Sequence, residues 1–105
     1  MDREEFETYL NANSRAVALF RSRALSHQHS QNRKRAASKQ WNEAVINSAV
    51  NRMVVHFIDK VYENLRTSIK ESKLHPYDSW VNFIETYEVM DSLEDSIAEM
   101  EFDAN

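Results

Sequence analysis

Two histidine-centred groups, a run of cations, an aromatic stripe and an acidic segment are the residues whose types and spacing bear on chemistry. His27 and His29 form a His-x-His pair, which ligates zinc or copper when an acid or a third histidine completes the set. No acidic residue lies between Glu7 and Glu43, so no neighbour completes it and no metal site is expected. His56, Asp59 and Glu63 fall on one helical face, but Lys60 stands among them, which reads as a solvated salt-bridging face. The Glu-x-x-His pairs of di-iron bundles are missing, because the residue three before His56 is Met53. Serines are plentiful, yet none has a base and an orienting acid at a recognisable spacing, and no catalytic residue is assigned.

Composition narrows the chemistry further. The 105 residues include no Gly and no Cys. An average chain of this length would hold about seven glycines, so phosphate-cradling loops and nucleophile elbows, which need the backbone at positive φ beside a ligand, are not expected. Without cysteine there is no disulfide framework, thiol nucleophile or thiolate metal site, and a cytoplasmic location is the expectation. The opening Met1-Asp2-Arg3-Glu4-Glu5 is too polar for a secretory signal. No apolar run approaches the ~20 residues of a membrane span. No cofactor is expected.

Charge is the stronger signal. The formal net charge of -4 conceals two opposed blocks. Arg15, Arg21, Arg23, Arg33, Lys34, Arg35 and Lys39 occupy an acid-free stretch, whereas no basic residue follows Lys73 and nine acids do: Asp78, Glu85, Glu88, Asp91, Glu94, Asp95, Glu99, Glu101 and Asp103. Block asymmetry of this kind marks an interaction surface, unless the two blocks meet in the fold and neutralise each other. Arg21, Arg23, Arg33, Lys34, Arg35 and Lys39 form the candidate basic patch. Phosphates need only spaced point charges, but the segment lacks the interleaved aromatics of a single-strand binder, and no helix-turn-helix is visible.

Tyr77, Trp80, Phe83, Ile84 and Tyr87 make an aromatic stripe at helical spacing. Trp80 and Ile84 are read as core, while Phe83 and Tyr87 are candidate partner anchors. After them, Leu93, Ile97 and Met100 alternate with Glu94, Asp95, Glu99 and Glu101, an acidic amphipathic pattern suited to a basic, apolar-floored groove. Leu93, Glu94, Ile97, Glu99 and Met100 therefore join Phe83 and Tyr87 as the candidate docking set.

The elements that must position these residues are helical. Phe6, Leu10, Asn13, Val17, Phe20 and Ala24 follow a 3.5-residue seam and predict one helix over 3–25, with Asn13 as a polar register residue. The competing reading breaks the helix at Asn11-Ala12-Asn13-Ser14 and caps a second one at Ser14. Residues 26–38 hold no large apolar side chain and no acid and are read as a basic polar loop or a frayed helix end. Ile46, Val50, Met53, Val54, Phe57, Ile58, Val61, Tyr62, Leu65 and Ile69 cover half the circumference of a central helix over 39–73. Pro76 starts the next helix, 77–89. The set Met90, Leu93, Ile97, Met100 is out of phase with Trp80 and Ile84, so a break is expected, with Asp91 and Glu94 in the capping-box positions of a short fourth helix over 91–101.

The expected fold is thus one all-α domain, a small bundle of three to four helices built on a long central helix. The expected function is a non-enzymatic, protein-binding adaptor or regulator. A homodimer is expected, since a 105-residue chain buries a limited share of its surface and the central stripe asks for cover. The alternative is a nucleic-acid-associated protein using the basic 15–39 segment, as a subunit of a larger assembly.

Overall fold

A computed structural model describes residues 1–100 and contains five α-helices, with no strand among the described residues. Helix α1 (Arg3–Asn13) starts at a capping box: the Asp2 carboxylate accepts from the Glu5 amide, and the Glu5 carboxylate from the Asp2 amide. It stops at Ser14, whose backbone is extended. The Ser14 hydroxyl accepts from the Ala16 amide at 3.0 Å, at the start of α2 (Ala16–Arg33). The expectation of one unbroken helix over 3–25 is corrected accordingly. Asn13 is exposed and its amide bonds the Tyr9 carbonyl one turn back. The buried seam re-indexes across the break, from Phe6 and Leu10 to Ala16, Phe20 and Ala24.

The expected loop over 26–38 is also corrected. Helix α2 continues through it to Arg33, and only then does the chain turn, through a 3-10 turn at Ala37–Lys39. Polar contacts with α3 (Glu43–Ser68) support those last turns in place of apolar burial. The Gln28 amide donates to Met53 Sδ at 3.3 Å, and His29 lies 3.6 Å from Glu43.

Helix α3 is shorter than the expected 39–73. It begins where Asn42 accepts from the Val45 amide. It ends where the Thr67 and Ser68 hydroxyls both bond the Asn64 carbonyl, local bonds that compete with the helical ladder. Helix α4 (Pro76–Thr86) places Pro76 in its first turn, where its missing N–H costs nothing. The break before the last helix exists, but earlier than expected. Glu88 adopts φ 51 and ψ 44, and α5 (Val89–Ala98) follows directly without a side-chain cap. Asp91 therefore lies inside α5 instead of capping it, and the part of the expected helix that falls on Glu101 lies outside the described residues.

Ile46, Val50, Val54, Ile58 and Leu65 of α3 are buried, as are Phe6, Leu10, Phe20, Trp80, Ile84 and Ile97 of the surrounding helices. Phe6, Tyr62 and Trp80 meet at ring separations of 5.2 to 5.9 Å, and Phe20 stacks on Phe57 at 4.3 Å. Helices α1, α4 and α5 gather around this body. The distal half of α2 and the N-terminal half of α3 run on as an antiparallel arm, giving dimensions of 57 × 24 × 22 Å. The stripe that prompted the dimer expectation is thus largely covered within one chain, leaving Met53, Phe57, Val61 and Tyr62 partly open.

Candidate functional site

The basic residues divide between two places. Arg21 and Arg23 stand on the body of α2, while Arg33 is ten residues beyond Arg23, about 15 Å along the helix at 1.5 Å per residue. Both body arginines have partners: the Arg21 guanidinium bonds the Asn51 side chain, and that of Arg23 bonds the Met100 carbonyl, each at 2.6 Å. The second contact places a cation at the C-terminal end of α5, where the helix dipole favours it. Arg15 approaches Glu94 at 4.0 Å. The two charge blocks therefore touch along the body.

The tip of the arm is different. Arg33, Lys34 and Lys39 are exposed there, and no acidic partner contacts them among the described residues. The loop that carries them is ordered by Asn32. Its side-chain oxygen accepts from the Trp41 amide at 2.8 Å and from the Arg35 guanidinium at 3.0 Å, and its nitrogen donates to the Trp41 carbonyl at 3.0 Å. Arg35 then lies 3.8 Å above the centre of the Trp41 ring, within cation–π range. Trp41 is 37% exposed. Sequence reasoning set the end of the cationic segment at Lys39 and missed this ring; the signal that marks it is Asn32, nine residues earlier, whose amide has the shape to pair with an extended peptide unit.

The histidines remain apart from any such cluster. His29 meets Glu43, and no group of three potential metal ligands assembles among the described residues. On α3, Asp59 is bonded by Arg3 at 2.6 Å, and Glu63 by Arg66 at 2.9 Å, which raises the arginine above its ordinary value. Asp59 and Glu63 thus serve ion pairs on an exposed face.

The expected docking set is split by the fold. Ile97 is 1% exposed and lies in the core, while Leu93 and Met100 pack against that core. The apolar face of α5 is therefore covered by α2 and α4 of its own chain, which corrects the expectation that it stands free for a partner. Glu94 has a structural role too: its carboxylate accepts from the Ser14 hydroxyl at 2.9 Å and the Arg15 amide at 3.3 Å, at the uncapped start of α2. Glu99 is exposed, and so is Tyr87, at 65%. The Tyr87 ring leans on half-buried Phe83 at 4.6 Å.

At the opposite end of the body, the Glu71 carboxylate accepts from the Met1 ammonium at 3.1 Å and the Trp80 indole at 2.6 Å. Those bonds, the ammonium first, hold the Glu71 carboxyl below its ordinary value. Burial raises the Tyr62 hydroxyl, which donates to the Met1 carbonyl. No helix among the described residues is long and apolar enough to cross a membrane. In comparison with known proteins, no family model matches the chain, and no curated protein or solved structure is similar to it.

Proposed function

We propose that the chain is a non-enzymatic adaptor or regulator that binds an acidic protein partner through the cationic tip of its arm. One observation carries the reading: among the described residues Glu94 approaches Arg15 and Arg23 bonds the Met100 carbonyl, whereas Arg33, Lys34 and Lys39 stand exposed on a projecting hairpin with no acidic partner. Uncompensated charge on a projecting element steers association and sets orientation more than it adds raw affinity. The non-enzymatic part rests on composition, since a chain with neither Gly nor Cys is poorly furnished for preorganised anion loops or thiol chemistry. A cytoplasmic setting and self-association into a dimer belong to the same proposal.

The test is affinity capture on the full chain and on the triple variant Arg33→Glu, Lys34→Glu, Lys39→Glu, each with and without nuclease, with size-exclusion mass measured in parallel. Nuclease-resistant capture that the variant loses is the expected result. A second reading, association with nucleic acid, is favoured by the Trp41 ring among the tip cations, because bases stack on aromatic and guanidinium planes. Capture that disappears with nuclease, together with salt-sensitive retention on a phosphate matrix, would select that reading.

A further inference from the structure

A groove lies along α3 where Met53, Phe57 and Val61 are half-buried. Met53, Phe57 and Val61 form its floor with Phe20 of α2, and His56, Lys60 and Asn64 form its edge, around ≈ 340 Å³ of space. The floor residues follow one another at four-residue steps, and so do Arg52, His56 and Lys60 in the adjoining row. Residues four apart lie one above the other on a helix, so an apolar rail and a cationic rail run side by side for about 12 Å. The nearby acids are engaged elsewhere, Asp59 sharing Arg3 with Glu7 and Glu63 paired with Arg66, and among the described residues none is bonded to Arg52 or Lys60. Arg52 and Lys60 are exposed.

From this pairing of rails we infer that the groove docks an acidic amphipathic helix of a partner protein, apolar residues into Met53, Phe57 and Val61 and carboxylates against Arg52 and Lys60. The inference rests on the adaptor reading and adds a second surface to it, apart from the arm tip. Charge selects the occupant. A second copy of the chain, packed antiparallel on the same face about a two-fold axis, would set each cationic row against its own counterpart, since like positions meet across such an axis, and like charges in register repel. An acidic helix meets no such opposition, and helix-in-groove docking uses an apolar stripe of this form. The chain's own acidic helix, α5, is already seated on α2 and α4.

The test uses fluorescence anisotropy with a labelled ~16-residue helical peptide bearing Leu at i, i+3, i+4 and i+7 and Glu elsewhere on its polar face, against the same peptide with Lys for Glu. The full chain is compared with the groove-edge variant Arg52→Glu, Lys60→Glu and with the tip variant Arg33→Glu, Lys34→Glu, Lys39→Glu. Both variants change exposed residues and are checked for an unaltered helical spectrum. The acidic peptide should bind at least ~10-fold more tightly than the basic one. The groove-edge variant should lose that preference while the tip variant keeps it, and Val61→Asp should abolish binding. Equal affinity for the two peptides, or a preference that survives the groove-edge changes, overturns the inference. If the preference vanishes only in the tip variant, the groove is refuted while the adaptor reading stands.

Discussion

Replacing Ile97 with Ala tests whether α5 is a structural member of the body or a detachable docking element. Ile97 is 1% exposed and belongs to the same buried cluster as Ala16 and Phe20 of α2 and Ile84 of α4, the two helices against which α5 packs. The substitution removes three carbons. At about 0.8 kcal/mol per buried methylene the transfer contribution is about 2.4 kcal/mol, and the cavity left in a packed interior brings the total to about 3 to 4 kcal/mol, inside the usual 2 to 5 for this change. A domain of this size is stable by about 5 to 15 kcal/mol in all, so the protein should still fold but with a large loss. In urea, with a slope of about 1.5 kcal/mol per molar, the midpoint should fall by about 2 M at unchanged slope. Ile97→Val should cost only about 0.5 to 1.5 kcal/mol, and Tyr87→Ala, at a 65% exposed site, under about 0.5 kcal/mol. An Ile97→Ala midpoint within error of the parent would refute the packing of α5 and return its apolar face to the candidate docking surfaces.

Four further outcomes follow from local geometry. Glu88 is a non-glycine residue at φ 51, where a Cβ costs about 1 to 2 kcal/mol, so Glu88→Gly should raise stability by about 0.5 to 1 kcal/mol and the calorimetric melting temperature by several degrees; a lower melting temperature would count against the left-handed turn. A double-mutant cycle on Ser14→Ala and Glu94→Ala should return a coupling of about 1 kcal/mol, reflecting the 2.9 Å bond between them, and additivity would disprove it. Asn32→Ala should cost about 0.5 to 1.5 kcal/mol by removing its exposed bonds to the Trp41 peptide unit, whereas Arg33→Ala and Lys34→Ala should leave denaturation curves unmoved. Finally, Glu71 has a lowered folded pKa against an ordinary value of 4.5, so its contribution is complete above that value and is lost as pH falls through the lowered one; the stability gap between the parent and Glu71→Gln should shrink on acidification below about pH 4.5, and a gap independent of pH would be contrary evidence.

The parts of this fold that were legible in the sequence are those where apolar periodicity and a local cap coincide. Helix α3 announces itself through Ile46, Val50, Val54, Ile58 and Leu65, all buried, and Pro76 marks the start of α4 because proline fits only the first turn. The all-helical class follows from the same pattern. Where periodicity and local backbone bonding disagreed, the local bonding prevailed. The 3.5-residue seam runs unbroken through Asn13, but Ser14 offers a hydroxyl to the Ala16 amide, and the helix restarts with a new phase. The last turns of α2 are hidden for the opposite reason: Gln28 and His29 hold them to α3, and Asn32 to the Trp41 backbone before it, through polar side-chain contacts, which leave no apolar period to read.

The candidate surfaces show the same division at longer range. Charge segregation is visible in the sequence, yet which charged side chains are engaged depends on partners distant in sequence: the Met100 carbonyl for Arg23, Glu94 for Arg15, Arg3 for Asp59. Glu94 shows why such partners are hidden. Standing three residues after Asp91, it fits a capping box in the sequence as well as any glutamate does. The left-handed turn at Glu88 starts the helix at Val89 instead, so Asp91 becomes the third helical residue and Glu94 lies a turn further in, facing α2. There the Ser14 hydroxyl and the Arg15 amide stand at a helix start with no side-chain cap of its own. A carboxylate is favoured at either kind of helix start, and the backbone at one residue decides between them. The acidic block is therefore tied to the body through Glu94, and among the described residues no acid pairs with Arg33, Lys34 and Lys39 at the arm tip or with Arg52 and Lys60 along the α3 groove.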